Sequence, residues 1–289
     1  MFFLKNRNQN LLSNIYELDS NGEFIKKEPL YAYWWDDVPN FGDWIGPYIL
    51  SKITNRPIVN CKGNVKDNVI FSVGSILEHI DKNYNNSLIW GSGLIKPLHK
   101  KRANKLNKNI NTIYAVRGEL TRAELVRHTN LKVPHIFGDP ALLMPIFHQP
   151  LIDNCAKKIS ICPHFSHYKY FSNISTSHCL NVIDVKQSLQ SVVNEIANST
   201  VCISSSLHGI IIAQAYGVPW VWLELPQASL DGNDFKFYDF FSTLKSDCIC
   251  KYSFNFNDIN EKSMIELSKK AQLSELKYGI NSLYEAFPY

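Results

Sequence analysis

The chain has no long apolar run, no C-x-x-C pair and no G-x-G-x-x-G turn, and each absence removes a class of protein. No stretch reaches the roughly 18 apolar residues that a membrane-crossing helix needs, which excludes a transmembrane helix. Met1–Lys5 (MFFLK) is apolar but too short for the core of a signal peptide, and Asn-rich sequence follows it. A cytoplasmic location is therefore expected, with at most peripheral contact at the inner face of a membrane. The 7 cysteines (Cys61, Cys155, Cys162, Cys179, Cys202, Cys248 and Cys250) are odd in number and scattered, which fits reduced thiols and no structural zinc. Cys248 and Cys250 read as two surface or edge-strand thiols. Charge is also scarce: charged residues make up 19%, with 30 basic against 26 acidic, and a net charge of +4 does not argue for nucleic acid. The basic residues gather at Lys96–Lys108 (KPLHKKRANKLNK), read first as the solvated face of a surface helix. The alternative is a patch for anionic lipid headgroups or a phosphorylated acceptor. No metal-ligand cluster stands out, and D-G-N-D at Asp231–Asp234 reads as a surface turn.

What is present is apolar and aromatic. Hydrophobic residues reach 45% and aromatic ones 12% of 289 residues, enough for the cores of one or two domains. The most informative stretch is Thr200–Glu224 (TVCISSSLHGIIIAQAYGVPWVWLE). Val201–Ile203 is a short β-branched run suited to a strand buried on both faces. Ser204, Ser205 and Ser206 then offer helix N-caps, Gly209–Tyr216 is an apolar helix, Gly217 stops it, and Val218–Leu223 is the next strand. This β-α-β unit favours a parallel sheet. His208 falls where the strand hands over to the helix, the position where open α/β sheets bind ligands.

The same alternation runs along most of the chain. Residues 1–28 read as an irregular arm and Leu30–Trp35 as a strand. Gly42 and Asp43 open a helix to about Thr54, with Asp43 either capping it or orienting a substrate. Val69–Val73 and Ser87–Trp90 are strands, the second ending in Gly91-Ser92-Gly93, where glycines permit close backbone approach to a ligand. Asn111–Val116 is a strand and Gly118–His128 a helix. Arg117 at their junction is either a fork for phosphate or carboxylate or an ion-pair partner of Glu119 or Asp139. Asp139, before Pro140, either caps the next segment or orients a basic group. Met144–Asp153, with two prolines, reads as a linker. Lys157–Cys162 and Asn181–Val185 are strands, Gln187–Asn198 a helix, Phe235–Leu244 an aromatic helix, and Glu261–Ala286 one long amphipathic helix. No internal repeat is visible in the sequence.

Several pieces in order resemble the polysaccharide pyruvyl transferase family, in particular its bacterial exopolysaccharide and capsule branch. They are Asn40–Asp43 with Pro47-Tyr48, Gly91-Ser92-Gly93, Arg117 in VRGELTRAEL, Gly138–Leu142 (GDPAL), Pro163-His164, and Ser205–Pro219 around Leu207-His208-Gly209. The resemblance covers about residues 30–225. It implies an α/β fold of two Rossmann-like domains facing a cleft, as in GT-B glycosyltransferases. The domains would span 1–150 and 151–261, with 262–289 crossing back onto the first.

The resemblance also implies chemistry: pyruvate moves from phosphoenolpyruvate onto a saccharide as a ketal, with no cofactor. The acceptors of the family's bacterial members are often lipid-linked. On this reading His208, Arg117 and Asp43 are catalytic, with His208 the acid/base because an unperturbed imidazole titrates near operating pH. Asn40, Gly91, Ser92, Gly93, Asp139, His164, Ser205, Ser206, Leu207, Gly209 and Glu224 line the substrate. One departure is Ser206, where many family members carry arginine. Two rival readings are a glycosyltransferase using a nucleotide sugar, with Glu224 on the ribose, and a non-catalytic subunit of a polysaccharide assembly.

Overall fold

Leu30–Tyr33 (LYAY) is short and aromatic with Pro29 before it, and it forms strand β1, buried in a sheet. The computed structural model describes residues 28–150, 158–171, 174, 179–232, 234–245 and 249–289. The expected N-terminal arm except Glu28, the linker end at 151–153, Cys155, Cys248 and Asn233 of the D-G-N-D turn lie outside these residues. After β1, Asn40 sits in extended backbone and its side chain accepts from Gly42 N, capping α1 (Phe41–Thr54). The cap is therefore Asn40, and Asp43 lies within the first turn. There follow β2 (Ile58–Asn60), the short β3 (Lys66–Asp67), β4 (Ile70–Phe71), β5 (Tyr84–Asn85) and β6 (Ser87–Trp90). Helix α2 (Lys100–Asn109), β7 (Ile110–Ala115) and α3 (Glu119–His128) complete the N-terminal half. Helix α2 carries the basic run, with Lys100, Lys101, Lys105 and Lys108 exposed. Arg102 departs from the solvated-face expectation: it is buried, donates to the Leu77 carbonyl and lies 3.6 Å from Glu78.

The C-terminal half repeats the pattern. Short α4 (Met144–Phe147) occupies the start of the expected linker, and Met144 is buried. Then come β8 (Ile159–Cys162), β9 (Leu180–Val182), α5 (Leu189–Ala197), β10 (Val201–Ser204), α6 (Leu207–Ala215), β11 (Trp220–Glu224), α7 (Phe235–Phe241) and β12 (Lys251–Ser253).

The result is an α/β fold with two five-stranded, wholly parallel sheets, ordered β2-β1-β4-β6-β7 and β12-β11-β10-β8-β9. Numbered within each sheet, both read 2-1-3-4-5 once the separate β3–β5 pair is set aside. The repeat absent from the sequence is thus present in topology. One apolar cluster joins the halves, running from Trp34, Phe41 and Ile45 through Leu142 and Met144 to Val185, Ile210 and Trp220.

The expected single helix over Glu261–Ala286 is corrected. Asn260 and Ser263 form a capping box for α8 (Glu261–Ser268), which ends at Lys269. The next segment is extended, because its backbone is taken by Trp220 through Gln272 and by Leu244 through Leu276. Gly279 then starts α9 (Ile280–Glu285). Apolar spacing alone cannot reveal such a break, since it is set by partners distant in sequence. Helix α8 stays on the second sheet, while Leu283 of α9 covers Gly138 and accepts the Trp90 indole N–H at 2.8 Å.

Candidate active site

A 2-1-3-4-5 sheet has a switch point between strands 1 and 3, where successive connections leave in opposite directions and open a crevice at the strand ends. In this chain the two switch points lie between β1 and β4 and between β8 and β10. The loops leaving those four strands carry Trp35–Asn40, Gly74-Ser75, Pro163–Phe165 and Ser205–Ser206. They meet: the Trp35 ring stacks on Phe165 with centroids 5.8 Å apart, and Phe41 N donates to the Val185 carbonyl at 2.9 Å.

His208 is the second residue of α6 and bridges both halves. Its ring lies so close to Gly42 that a Cβ there would overlap Nδ1 and Cγ, and a Cβ at Gly74 would lie 3.7 Å from Cε1 and Nε2. Nε2 is buried and has no hydrogen-bond partner among the described residues. Burial, with the nearby positive charges of Lys236 and Arg117, pushes the pKa down to about 3. The imidazole is therefore neutral at neutral pH, which corrects the expectation of an unperturbed titration.

Asp43 faces the same crevice from α1 and accepts from Asn40 Nδ2 at 2.8 Å. Burial lifts its carboxyl to about 7, against that hydrogen bond, and Asp36 adds to the rise. A carboxylic acid that titrates near neutrality can give or take a proton there. Lys236, in the first turn of α7, lies within electrostatic reach of Asp43, and burial followed by Arg117 lowers its pKa to about 8.

Arg117 is fully buried and committed to protein. Nε donates to Asp239 at 2.9 Å, one terminal nitrogen to Ser75 Oγ at 2.5 Å and the other to the Leu94 carbonyl at 2.6 Å. Its ion-pair partner is Asp239 of α7, rather than Glu119 or Asp139. Asp239 also accepts from Thr121 N and Oγ1 at 2.6 and 2.7 Å. The glycine turn is likewise closed: a Cβ at Gly91, where φ is 82°, would overlap Pro140, and one at Gly93 would overlap the Arg117 guanidinium. The expected space for a ligand is filled by the protein. Ser92 Oγ donates to the Gly74 carbonyl at 3.0 Å. Asp139 has no exposed surface and acts as a cap, accepting from Ala141 N at 3.0 Å and Gly74 N at 3.2 Å. Burial raises its pKa to about 6.

On the second sheet, Ser205 Oγ accepts from His164 N at 3.0 Å and meets His167 Nδ1 at 2.9 Å. His167 Nε2 lies 2.7 Å from the Ala228 carbonyl and must donate to it, so Nδ1 accepts from Ser205. His164 packs on Phe165, and burial, aided by Lys236, lowers its pKa to about 3. Ser206 is the N-cap position of α6 but makes no side-chain cap bond. Leu207 is buried, and Gly209 serves packing, because a Cβ there would overlap Ser204 Oγ and crowd Cys162. A cavity of about 280 Å³ opens beside this cluster, between His167, Ser205, Trp222, Phe237, Glu224 and Lys251. Glu224 is held by Lys251 at 2.7 Å and by Ser253.

The crevice thus gathers Asn40, Asp43, His164, Ser205 and His208. Arg117, Gly91, Gly93, Asp139 and Gly209 support it from behind, and Glu224 sits apart in the cavity. Sequence reasoning missed Lys236, Asp239 and His167. A signal for the first two existed: they are the charged positions, three apart, in the otherwise aromatic run FKFYDFF. Among the described residues, no group of three or more His, Cys, Asp and Glu side chains could hold a metal ion, and no helix is long and apolar enough to cross a membrane.

Comparison with known proteins bears on this site. A family model described as polysaccharide pyruvyl transferase matches residues 8–225. A protein of Acanthamoeba polyphaga mimivirus, described as uncharacterized, is 28% identical over 230 residues, covering 76% of this chain and 76% of that protein.

Proposed function

The chain belongs to the polysaccharide pyruvyl transferase family, and on that premise we propose that it moves the pyruvyl group of phosphoenolpyruvate onto two hydroxyls of a saccharide as a ketal. In this reaction the methylene carbon gains a proton and the central carbon becomes electrophilic. Two C–O bonds to the sugar form, and the C–O bond to phosphate breaks. Of the two hydroxyl protons, one balances the proton delivered to carbon and the other leaves with phosphate. The observation that carries the reading is His208: a neutral imidazole with a buried, unpartnered Nε2, held at the meeting of both switch points. Asp43, titrating near 7, is the proton donor to carbon. His208 takes the hydroxyl proton and hydrogen-bonds the developing charge.

We further read the two sheets as the centres of two Rossmann-like domains in a GT-B-like arrangement, 1–150 and 151–261, with the return to the first domain made by α9 alone, since α8 and Gln272 stay on the second sheet. The acceptor is a bacterial surface saccharide, and attachment to a lipid-linked form is electrostatic, through the exposed lysines of α2. Membrane sedimentation that high salt abolishes agrees with that attachment, because screening releases exposed charges.

The test is a donor screen with saccharide acceptors, reading phosphate and nucleotide release side by side. Phosphate from phosphoenolpyruvate, released only when acceptor is present, supports the proposal. Nucleoside diphosphate from a sugar nucleotide moves the chain to the glycosyltransferase reading.

A further inference from the structure

Lys236 is a cation without a counter-ion within electrostatic reach of His208, His164 and Asp43. Among the described residues its ammonium forms no ion pair, although Arg117, Lys62 and Lys251 nearby in the fold all do. It is not a loose surface lysine. Residues three apart on a helix share a face, and Asp239, three residues on, points into the junction to hold Arg117 and Thr121. The helix backbone is fixed by two contacts that tolerate no Cβ: Gly118 lies against the Asp239 carbonyl and Gly232 against the Ile95 carbonyl. These contacts fix the backbone on either side of Lys236, and its charge is felt at His208.

The charges around it come from every packed element. Asp43 faces it from α1, Arg117 from the end of β7 and Asp231 from the turn before α7. His208 of α6 and His164 and His167 after β8 feel its charge in return. Arg117 is neutralised by Asp239, and the three imidazoles have lowered pKa values and are neutral. Asp43 is half neutral near pH 7. Asp231 is exposed, and its carboxylate accepts from Gly232 N within its own turn. The crevice therefore carries an uncompensated positive charge beside an unpartnered imidazole nitrogen.

We propose that Lys236 binds the phosphate or carboxylate of a small anionic substrate and holds it against His208. The proposal rests on the pyruvyl transfer reading for the identity of that anion, but not for its charge. Desolvation and Arg117 depress the Lys236 pKa to about 8, and a bound anion reverses that depression. It also raises the pKa of His208, so that loading the substrate helps the imidazole accept a proton.

The test titrates phosphoenolpyruvate and, separately, inorganic phosphate into the full chain and its Lys236→Met and Lys236→Arg variants, from below to above pH 8. Methionine keeps the apolar stem, and equal melting temperatures certify the fold. Lys236→Met should weaken both anions on the order of 10–100-fold, as for a lost hydrogen bond to a charged group. Lys236→Arg should keep most of the affinity. Wild-type affinity should fall as pH rises through about 8, the arginine variant should hold to higher pH, and the methionine variant should lose this step. Unchanged binding by Lys236→Met overturns the proposal and leaves pyruvyl transfer standing. Lys236-dependent phosphate binding with no phosphoenolpyruvate turnover supports Lys236 and removes pyruvyl transfer. A wild-type chain that binds neither anion overturns both.

Discussion

Arg117 and Lys236 meet at one junction in opposite conditions. Arg117 is fully buried, paired with Asp239 and bonded to Ser75 and Leu94. Lys236 is partly buried and unpaired among the described residues. A buried charge whose donors are taken by protein organises structure, because releasing them for a ligand would strand Asp239 in a dry site. A half-desolvated charge with no counter-ion, resting against the Phe237 ring at 5.7 Å, is destabilising unless an anion binds it. Position at a strand end, the argument sequence offers for Arg117, does not separate these cases; hydrogen-bond accounting does.

The sharpest way to break this contrast lies at the group both cations face. His208→Ala should lower kcat on the order of 10²–10⁴-fold, as for a lost acid/base, with a smaller effect on donor affinity. Steady-state kinetics of the folded variant checks this, and near-normal kcat reduces His208 to a spacer. Next, Arg117→Ala and Asp239→Ala should each destabilise by about 3–5 kcal/mol, the usual cost of stranding one member of a buried pair. Urea unfolding would show this, and the double variant should cost less than the sum. Lys236→Met should change stability far less than either. If Arg117→Ala unfolds normally but loses donor binding, the two cations must exchange roles.

A smaller effect is expected at Gly42→Ala, whose new methyl meets the His208 ring. Overpacking of this kind costs about 1–3 kcal/mol, and turnover should fall with it as the ring is displaced. The smallest is a slope. Asp43 rises from 3.8 to about 7 on folding, so its contribution is fully present below pH 3.8 and is lost as pH rises through 7. His208 falls from 6.5 to about 3, so its contribution is present above 6.5 and lost as pH falls. The two oppose each other between about pH 4 and 6.5. Asp43→Asn should remove the first slope alone, leaving a variant that gains on the wild type as pH rises from about 4 to about 7 and runs parallel to it above that. Unfolding free energies of both proteins across that range decide it, and parallel curves would show that Asp43 titrates normally.

Much of the fold was legible. Ser87–Trp90 emerges with the limits its apolar run suggests, and α6 starts directly after the serine triplet, although no serine side chain caps it. Strands β2 and β12 were not, because three residues such as Ile58–Asn60 and Lys251–Ser253 carry no period and gain strand geometry only from neighbours. The break between α8 and α9 has the same cause, since Gln272 is extended only because Trp220 pairs with it. At the site, His208, Asp43 and Asn40 were legible from strand-end position. The closure of Gly91 and Gly93 by Pro140 and Arg117 was not, because a glycine that admits a ligand and one that admits a neighbouring side chain look alike in sequence. Lys236 was hidden for another reason: its element follows the last strand legible in the sequence, and the contacts of Asp239 with Arg117 and Thr121, distant in sequence, turn it inward.

The most direct test of pyruvyl transfer follows the carbon itself. Phosphoenolpyruvate labelled with carbon-13 at its methylene carbon is incubated in D₂O with the protein and a saccharide acceptor, and the label is followed by NMR. The account predicts that the methylene becomes a singly deuterated methyl attached through a ketal to the sugar, with one phosphate released per ketal. Label that stays in phosphoenolpyruvate while a sugar nucleotide in the same tube yields nucleoside diphosphate would contradict it.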